Sequence, residues 1–171
     1  QTFNAEQITF DVTDGYEHAK RLIRAAIDNF PNRNPAKVRI PKETMELVAG
    51  FSNETIFHML GGRFRSTFRP LNDAIIDGRI RGVVGIVGCS NPGMKTDEAH
   101  VALATELIKR NVLVLQTGCA AVACAKAGLL TPEAALEHAG ESLREVCEAV
   151  GIPPVLHMGS CVDNSRILMA A

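Results

Sequence analysis

Excess charge of either sign is missing from this sequence: 18 Lys and Arg face 19 Asp and Glu, for a formal charge of −1. The basic side chains are scattered, which argues against a surface built for nucleic-acid phosphates, so no nucleic-acid partner is expected. Long apolar runs are also missing. Gly82 to Cys89 and Val112 to Leu115 are the longest, far below the roughly 20 residues that cross a bilayer, so no membrane span is expected. Gln1-Thr2-Phe3-Asn4 has neither the basic segment nor the apolar stretch of a secretion signal, and a cytoplasmic location is the default expectation. C-x-x-C pairs are absent, and so is every aromatic residue beyond Phe68.

What is present suits a globular chain of 171 residues, 46% of them hydrophobic: one good core, or a small helical unit joined to an α/β unit. The first residue is not Met, and Arg166 to Ala171 reads as an interrupted amphipathic helix, so the chain is expected to be a piece of a longer polypeptide. The loss of aromatics after Phe68 marks a change of structural unit. Residues 1–78 are expected to be a mostly helical segment that is part of a preceding domain, and 79–171 an α/β unit that is incomplete at its C-terminus.

In the first part, Ala19, Leu22, Ile23, Ala26, Ile27 and Phe30 recur at helical spacing, and Pro31, Asn32 and Pro35 stop that helix. A second helix is predicted from Pro41 to Gly50, with proline in its first turn, and shorter ones over Glu54–Leu60 and Pro70–Asp77. Beyond residue 79 the pattern alternates. Gly82–Gly88, Val112–Gln116 and Val155–Met158 read as strands. Asp97–Arg110, Ala120–Leu129, a segment opened by Thr131-Pro132 and running to Glu137, and Glu141–Val150 read as helices. Strands that are continuously apolar and joined by helices predict a Rossmann-like parallel sheet with helices on both faces.

Five cysteines, an odd number, without a secretion signal argue for thiol or metal chemistry rather than a disulfide framework. Three of them repeat one grammar, an apolar strand followed by glycine and then cysteine: Val87-Gly88-Cys89, Thr117-Gly118-Cys119 and Met158-Gly159-Ser160-Cys161. Each falls just past the carboxyl end of a strand, and in a parallel sheet those ends share the ligand-binding edge. Separations of 30 and 42 residues are those of complete strand–helix–strand crossovers, so the three thiols should converge. Glycine there lets the backbone turn sharply and approach a bulky group. Helices starting directly after Cys119 and Cys161 would stabilise thiolates through their N-terminal N–H groups. Single thiolates from separate loops suit a buried metal–sulfur cluster better than structural zinc, which favours close pairs.

The other candidates are weaker. Cys124 and Cys147 lie on amphipathic helices and are expected in the core. His157 lies on the third strand and is expected to be a hydrogen-bonded core histidine, although it could line the site. His18, His58, His100 and His138 should face solvent or helix junctions. Asp163, Asn164 and Ser165 are expected to cap the last helix and support the site from behind. The glycines Gly82, Gly85 and Gly88 lack dinucleotide-binding spacing.

The segments Gly85-Ile86-Val87-Gly88-Cys89-Ser90-Asn91-Pro92, Thr117-Gly118-Cys119-Ala120-Ala121 and Gly151-Ile152-Pro153-Pro154-Val155-Leu156-His157-Met158-Gly159-Ser160-Cys161-Val162-Asp163-Asn164-Ser165-Arg166 resemble, in this order, the anaerobic nickel carbon monoxide dehydrogenases. The likeness is strongest from Arg79 to Leu168 and extends loosely back through Glu46 to Phe51. It implies a Ni-Fe-S cluster, cluster C, that oxidises CO with water to CO2, two protons and two electrons, reversibly. Cys89 and Cys119 would bind its iron. Cys161 would bind nickel and act catalytically. The family's remaining cluster ligands, a histidine and two cysteines, lie upstream of this segment, as do the cysteines of further [4Fe-4S] clusters, so the fragment alone should be inactive. The resemblance also implies a ferredoxin-like electron carrier, a homodimer of the full-length subunit and possible association with acetyl-CoA synthase. The stretch from Cys147 to Pro153 is shorter than in some members. Rival readings are a hybrid-cluster protein, a hydroxylamine reductase-like iron–sulfur enzyme without nickel, and a noncatalytic α/β module with structural cysteines.

Overall fold

The structure, a computed structural model, describes residues 12–60, 69–91, 93–162 and 164–170. Packing divides the chain into two units, Gln1–Glu43 and Thr44–Ala171. The first contains helix α1 (Gly15–Asn29), which ends where a 3-10 turn begins at Phe30 and Pro31 takes over, as the proline pattern requires. On its surface Lys20 pairs with Glu17 at 2.8 Å and lies 4.3 Å from the centre of the Tyr16 ring.

The second unit carries helices α2 (Asn53–Leu60) and α3 (Arg69–Ile76), then strand β1 (Gly82–Ile86), helix α4 (Glu98–Lys109), strand β2 (Val112–Gln116), helices α5 (Gly118–Lys126), α6 (Glu133–His138) and α7 (Glu141–Val150), strand β3 (Val155–His157) and helix α8 (Ser165–Ala170). The three strands form one parallel sheet in the order β1-β2-β3. Gly82 pairs with Val112, Ile86 with Gln116, and Gln116 with His157, so the carboxyl ends of all three strands finish level. That register brings three post-strand loops to one edge.

All five residues of β2 are buried, as a central parallel strand demands. In β1 only Ile86 is buried; Val84 and Gly85 are exposed, so within this chain the sheet is covered on both faces at β2 but not at β1. The core gathers Leu113, Leu115, Leu156 and Ile108 with Phe51, Ile56, Leu71 and Ile80 from before the sheet. Each such fully buried aliphatic side chain contributes about 1.5–3 kcal/mol relative to exposure. A Cβ on Gly85 would collide with Ile167 of α8, so glycine there sets how closely that helix approaches β1.

Three expectations are corrected. Residues 41–50 are not helical. Val48 N–H donates to the Leu130 carbonyl at 2.8 Å, Ala49 bridges His157 in parallel, and Gly50 and Phe51 N–H both donate to the His157 carbonyl at 3.0 Å. Long-range backbone pairing beside β3 replaces the local helical bonds, a tertiary override of a helix-permissive sequence. Thr131 does not cap α6 with its side chain; its hydroxyl instead turns back to the Gly128 carbonyl at 3.5 Å. Helix α8 begins at Ser165, so Cys161 lies in a turn ahead of it rather than at its start.

Candidate metal centre

Each of the three strand-end loops turns through a glycine with positive φ: Gly88 at 127°, Gly118 at 56° and Gly159 at 119°. A side chain resists such backbone, which explains why glycine precedes each cysteine. Gly118 also meets a spatial demand. A Cβ built there would lie 2.7 Å from the Cβ and 3.1 Å from the Sγ of Cys161, a separation no side chain tolerates.

Backbone and side chains strap the second and third loops together. Gly118 N–H donates to the Gly159 carbonyl at 3.1 Å. The buried Thr117 hydroxyl donates to Asn164 Oδ1 at 2.7 Å, and Asn164 Nδ2 donates to the Cys161 carbonyl at 3.3 Å. Arg166 reaches the Met158 carbonyl at 3.2 Å. Asn164 thus ties the Cys161 turn to Thr117, Ser165 starts α8, and Asp163 lies outside the described residues.

The structure brings Cys89, Cys119 and Cys161 together. The charge of the Cys119 thiolate and a hydrogen bond with that thiol push the Cys89 thiol above its ordinary value, with desolvation and the charge of Cys161 adding to the shift. Cys161 packs against Gly118, the residue before Cys119. All three thiols are exposed within this chain. Cys119 lies in the first turn of α5.

Among the described residues, no three His, Cys, Asp or Glu side chains close into a cage for a single metal ion. The trio is soft, mutually repelling when ionised and clear of side chains at Gly118. A cationic group with several metal corners relieves that repulsion and draws off the protons, so these residues fit a metal–sulfur cluster.

Cys124 and Cys147 are buried, and burial pushes their thiols up to about 11 and about 12, as core residues. His157 is half-buried and accepts the Gly159 N–H on Nδ1 at 3.0 Å, matching the reading as a hydrogen-bonded histidine. His100 is half-buried and lines a cleft of about 130 Å³ with Cys89, Ser90, Asn91 and Asp97, a placement the helical pattern did not distinguish from a solvent face. Sequence reasoning also missed Thr117, Ser90, Asp97 and Lys126. Thr117 and Ser90 adjoin Gly118 and Cys89 in sequence, which was the available signal.

Fold and site together define a parallel α/β unit that presents three strand-end thiols on one edge. The chain belongs to the prismane/CO dehydrogenase family, which it matches over residues 2–171. It is 53% identical over 165 residues to carbon monoxide dehydrogenase 1 of Methanosarcina mazei, covering 96% of this chain and 26% of that protein. The nickel-free crystal structure of carbon monoxide dehydrogenase from Thermococcus sp. AM4 shares 53% identity and superposes with a TM-score of 0.79, over 95% of this chain and 25% of that one. An acetyl-CoA synthase/carbon monoxide dehydrogenase structure with NiZn[Fe4S4] and NiNi[Fe4S4] clusters shares 37% identity at a TM-score of 0.79, over 98% of this chain and 27% of that one. The chain therefore spans about a quarter of the length of these relatives. No helix among the described residues is long and apolar enough to cross a membrane.

Proposed function

We propose that this chain forms part of the catalytic subunit of an anaerobic carbon monoxide dehydrogenase, which converts CO and water to CO2, two protons and two electrons, reversibly. Cys89 and Cys119 hold iron of a Ni-Fe-S cluster, and Cys161 holds its nickel. The observation that carries the reading is the gathering of three glycine-preceded thiols on one sheet edge, with Gly118 cleared against Cys161. When bound, the cluster supplies two Lewis-acidic metals that hold the reactants together and accept the electron pair.

This chain's own residues do the rest. The β1, β2 and β3 loops orient the three sulfurs, Thr117 and Asn164 hold the Cys161 loop to the Cys119 loop, and the first turn of α5 positions Cys119. The exposed edge accepts the remaining ligands and cover from the rest of the polypeptide, where further [4Fe-4S] clusters also belong. The full-length subunit acts as a cytoplasmic homodimer, passes electrons to a ferredoxin-like carrier and in some settings joins an acetyl-CoA synthase. The sheet is the start of a Rossmann-like domain, and the organisation into a helical 1–78 segment and a cluster-binding 79–171 unit is proposed for the parent protein.

The test is anaerobic expression of the full-length polypeptide with iron and nickel supplied, followed by metal analysis and CO-dependent reduction of a viologen dye. Cys89→Ala and Cys119→Ala are expected to lose iron and activity; Cys161→Ala is expected to lose nickel and activity. Unaltered metal content in all three variants would sink the proposal, and iron without nickel in the parent protein would favour the hybrid-cluster reading.

A further inference from the structure

We propose that Asp97 is a positioning residue for the Cys89 thiolate, acting by tying the Ser90 hydroxyl and the Lys126 ammonium to one carboxylate. The inference rests on the reading of Cys89 and Cys119 as ligands of one cluster.

Asp97 immediately precedes α4 and takes φ 70°, a left-handed conformation uncommon for a residue with a side chain. Such backbone persists where surrounding contacts hold it, and two do. Ser90 Oγ donates to Asp97 Oδ1 at 3.3 Å, and Lys126 Nζ pairs with Asp97 Oδ2. The Asp97 side chain is only 19% exposed, unlike the surface pair Lys109–Glu106, at 54% and 57%. Its carboxylate is held below the ordinary range, first by the hydrogen bond from Lys126.

The two partners stand at informative places. Ser90 follows Cys89 in the loop after β1. Lys126 ends α5, the helix whose first turn holds Cys119. One carboxylate thus joins the Cys89 loop to the Cys119 helix, across α4 and α5, which pack together. The two thiols it sets relative to each other stand just past the ends of the adjacent, paired strands β1 and β2. Asparagine at 97 would keep the left-handed turn and the Ser90 bond but lose the ion pair, whereas alanine would lose both.

The test uses the full-length polypeptide in two states. In cluster-free protein, a short bifunctional thiol reagent reports Cys89–Cys119 bridging by peptide mass spectrometry. In loaded protein, a chelator challenge reports iron retention. Asp97→Ala is expected to slow bridging about tenfold and to weaken iron retention about 10- to 100-fold, the range for losing support behind a metal ligand. Asp97→Asn should show the same direction at about tenfold or less. Adding Ser90→Ala to Asp97→Ala should produce no further loss, because both remove one linkage.

Wild-type bridging and retention in folded Asp97→Ala overturn the proposal while leaving the ligand reading intact. Full iron in Cys89→Ala and Cys119→Ala overturns the ligand reading itself. If Asp97→Ala does not fold and folded Asp97→Asn behaves as wild type, Asp97 serves folding alone and the proposal is likewise overturned.

Discussion

Gly118 and Cys161 lie so close that a methyl group at position 118 would stand 2.7 Å from the cysteine's Cβ. Alanine there meets two penalties: about 1–2 kcal/mol for left-handed backbone, and displacement of the Cys161 side chain. Gly78 isolates the first, since its φ is 74° and nothing lies within 4 Å of a built Cβ. In the full-length polypeptide, Gly118→Ala is expected to lose nickel while Gly78→Ala keeps it at a comparable backbone penalty. Metal analysis beside urea melts reads both, and equal nickel in the two variants would show that the contact does not position Cys161.

The Thr117–Asn164 hydrogen bond is asymmetric in burial: the threonine is fully buried and the asparagine half-buried. Asn164→Ala strands a buried hydroxyl and should destabilise by about 1–3 kcal/mol. Thr117→Val leaves the polar atom where water reaches it, so the smaller loss is expected there. Urea midpoints check the order, and a larger loss in Thr117→Val would show that the hydroxyl is satisfied in another way.

Cys124 and Cys147 have thiols raised by burial to about 11 and about 12. Because the folded state holds these protons more tightly than the unfolded chain, stability is unaffected by them below about pH 8.5, the ordinary thiol value, and falls as pH rises toward 11–12. Alkylation of cluster-free protein at pH 8, followed by peptide mass spectrometry, should modify the exposed Cys89, Cys119 and Cys161 in the native state and the two buried thiols only on unfolding. Rapid native modification of Cys124 would contradict its place in the core.

The segment paired beside β3 makes a prediction by hydrogen exchange. Amides of Val48, Gly50 and Phe51 donate to Leu130 and His157 carbonyls and should exchange slowly. Continuous protection from Met45 through Gly50 would instead restore a helix there.

Residue pattern was enough to locate all three strands, most helices and the three thiols that meet, because each signal is local: an apolar run, a helical repeat, a glycine before a cysteine. It misjudged residues 41–50, whose backbone bonds go to Leu130 and to His157, more than 80 and 100 positions away along the chain. It could not find the Ser90–Asp97–Lys126 linkage or the Thr117–Asn164 bond, since nothing in a single sequence records which side chains face each other across a sheet edge. Nor did it anticipate that the thiols stand open to solvent in this chain. Periodicity and turn chemistry act between neighbours, so a sequence displays them. Register, burial and long-range pairing arise when separate elements pack, and the folded chain alone reveals them.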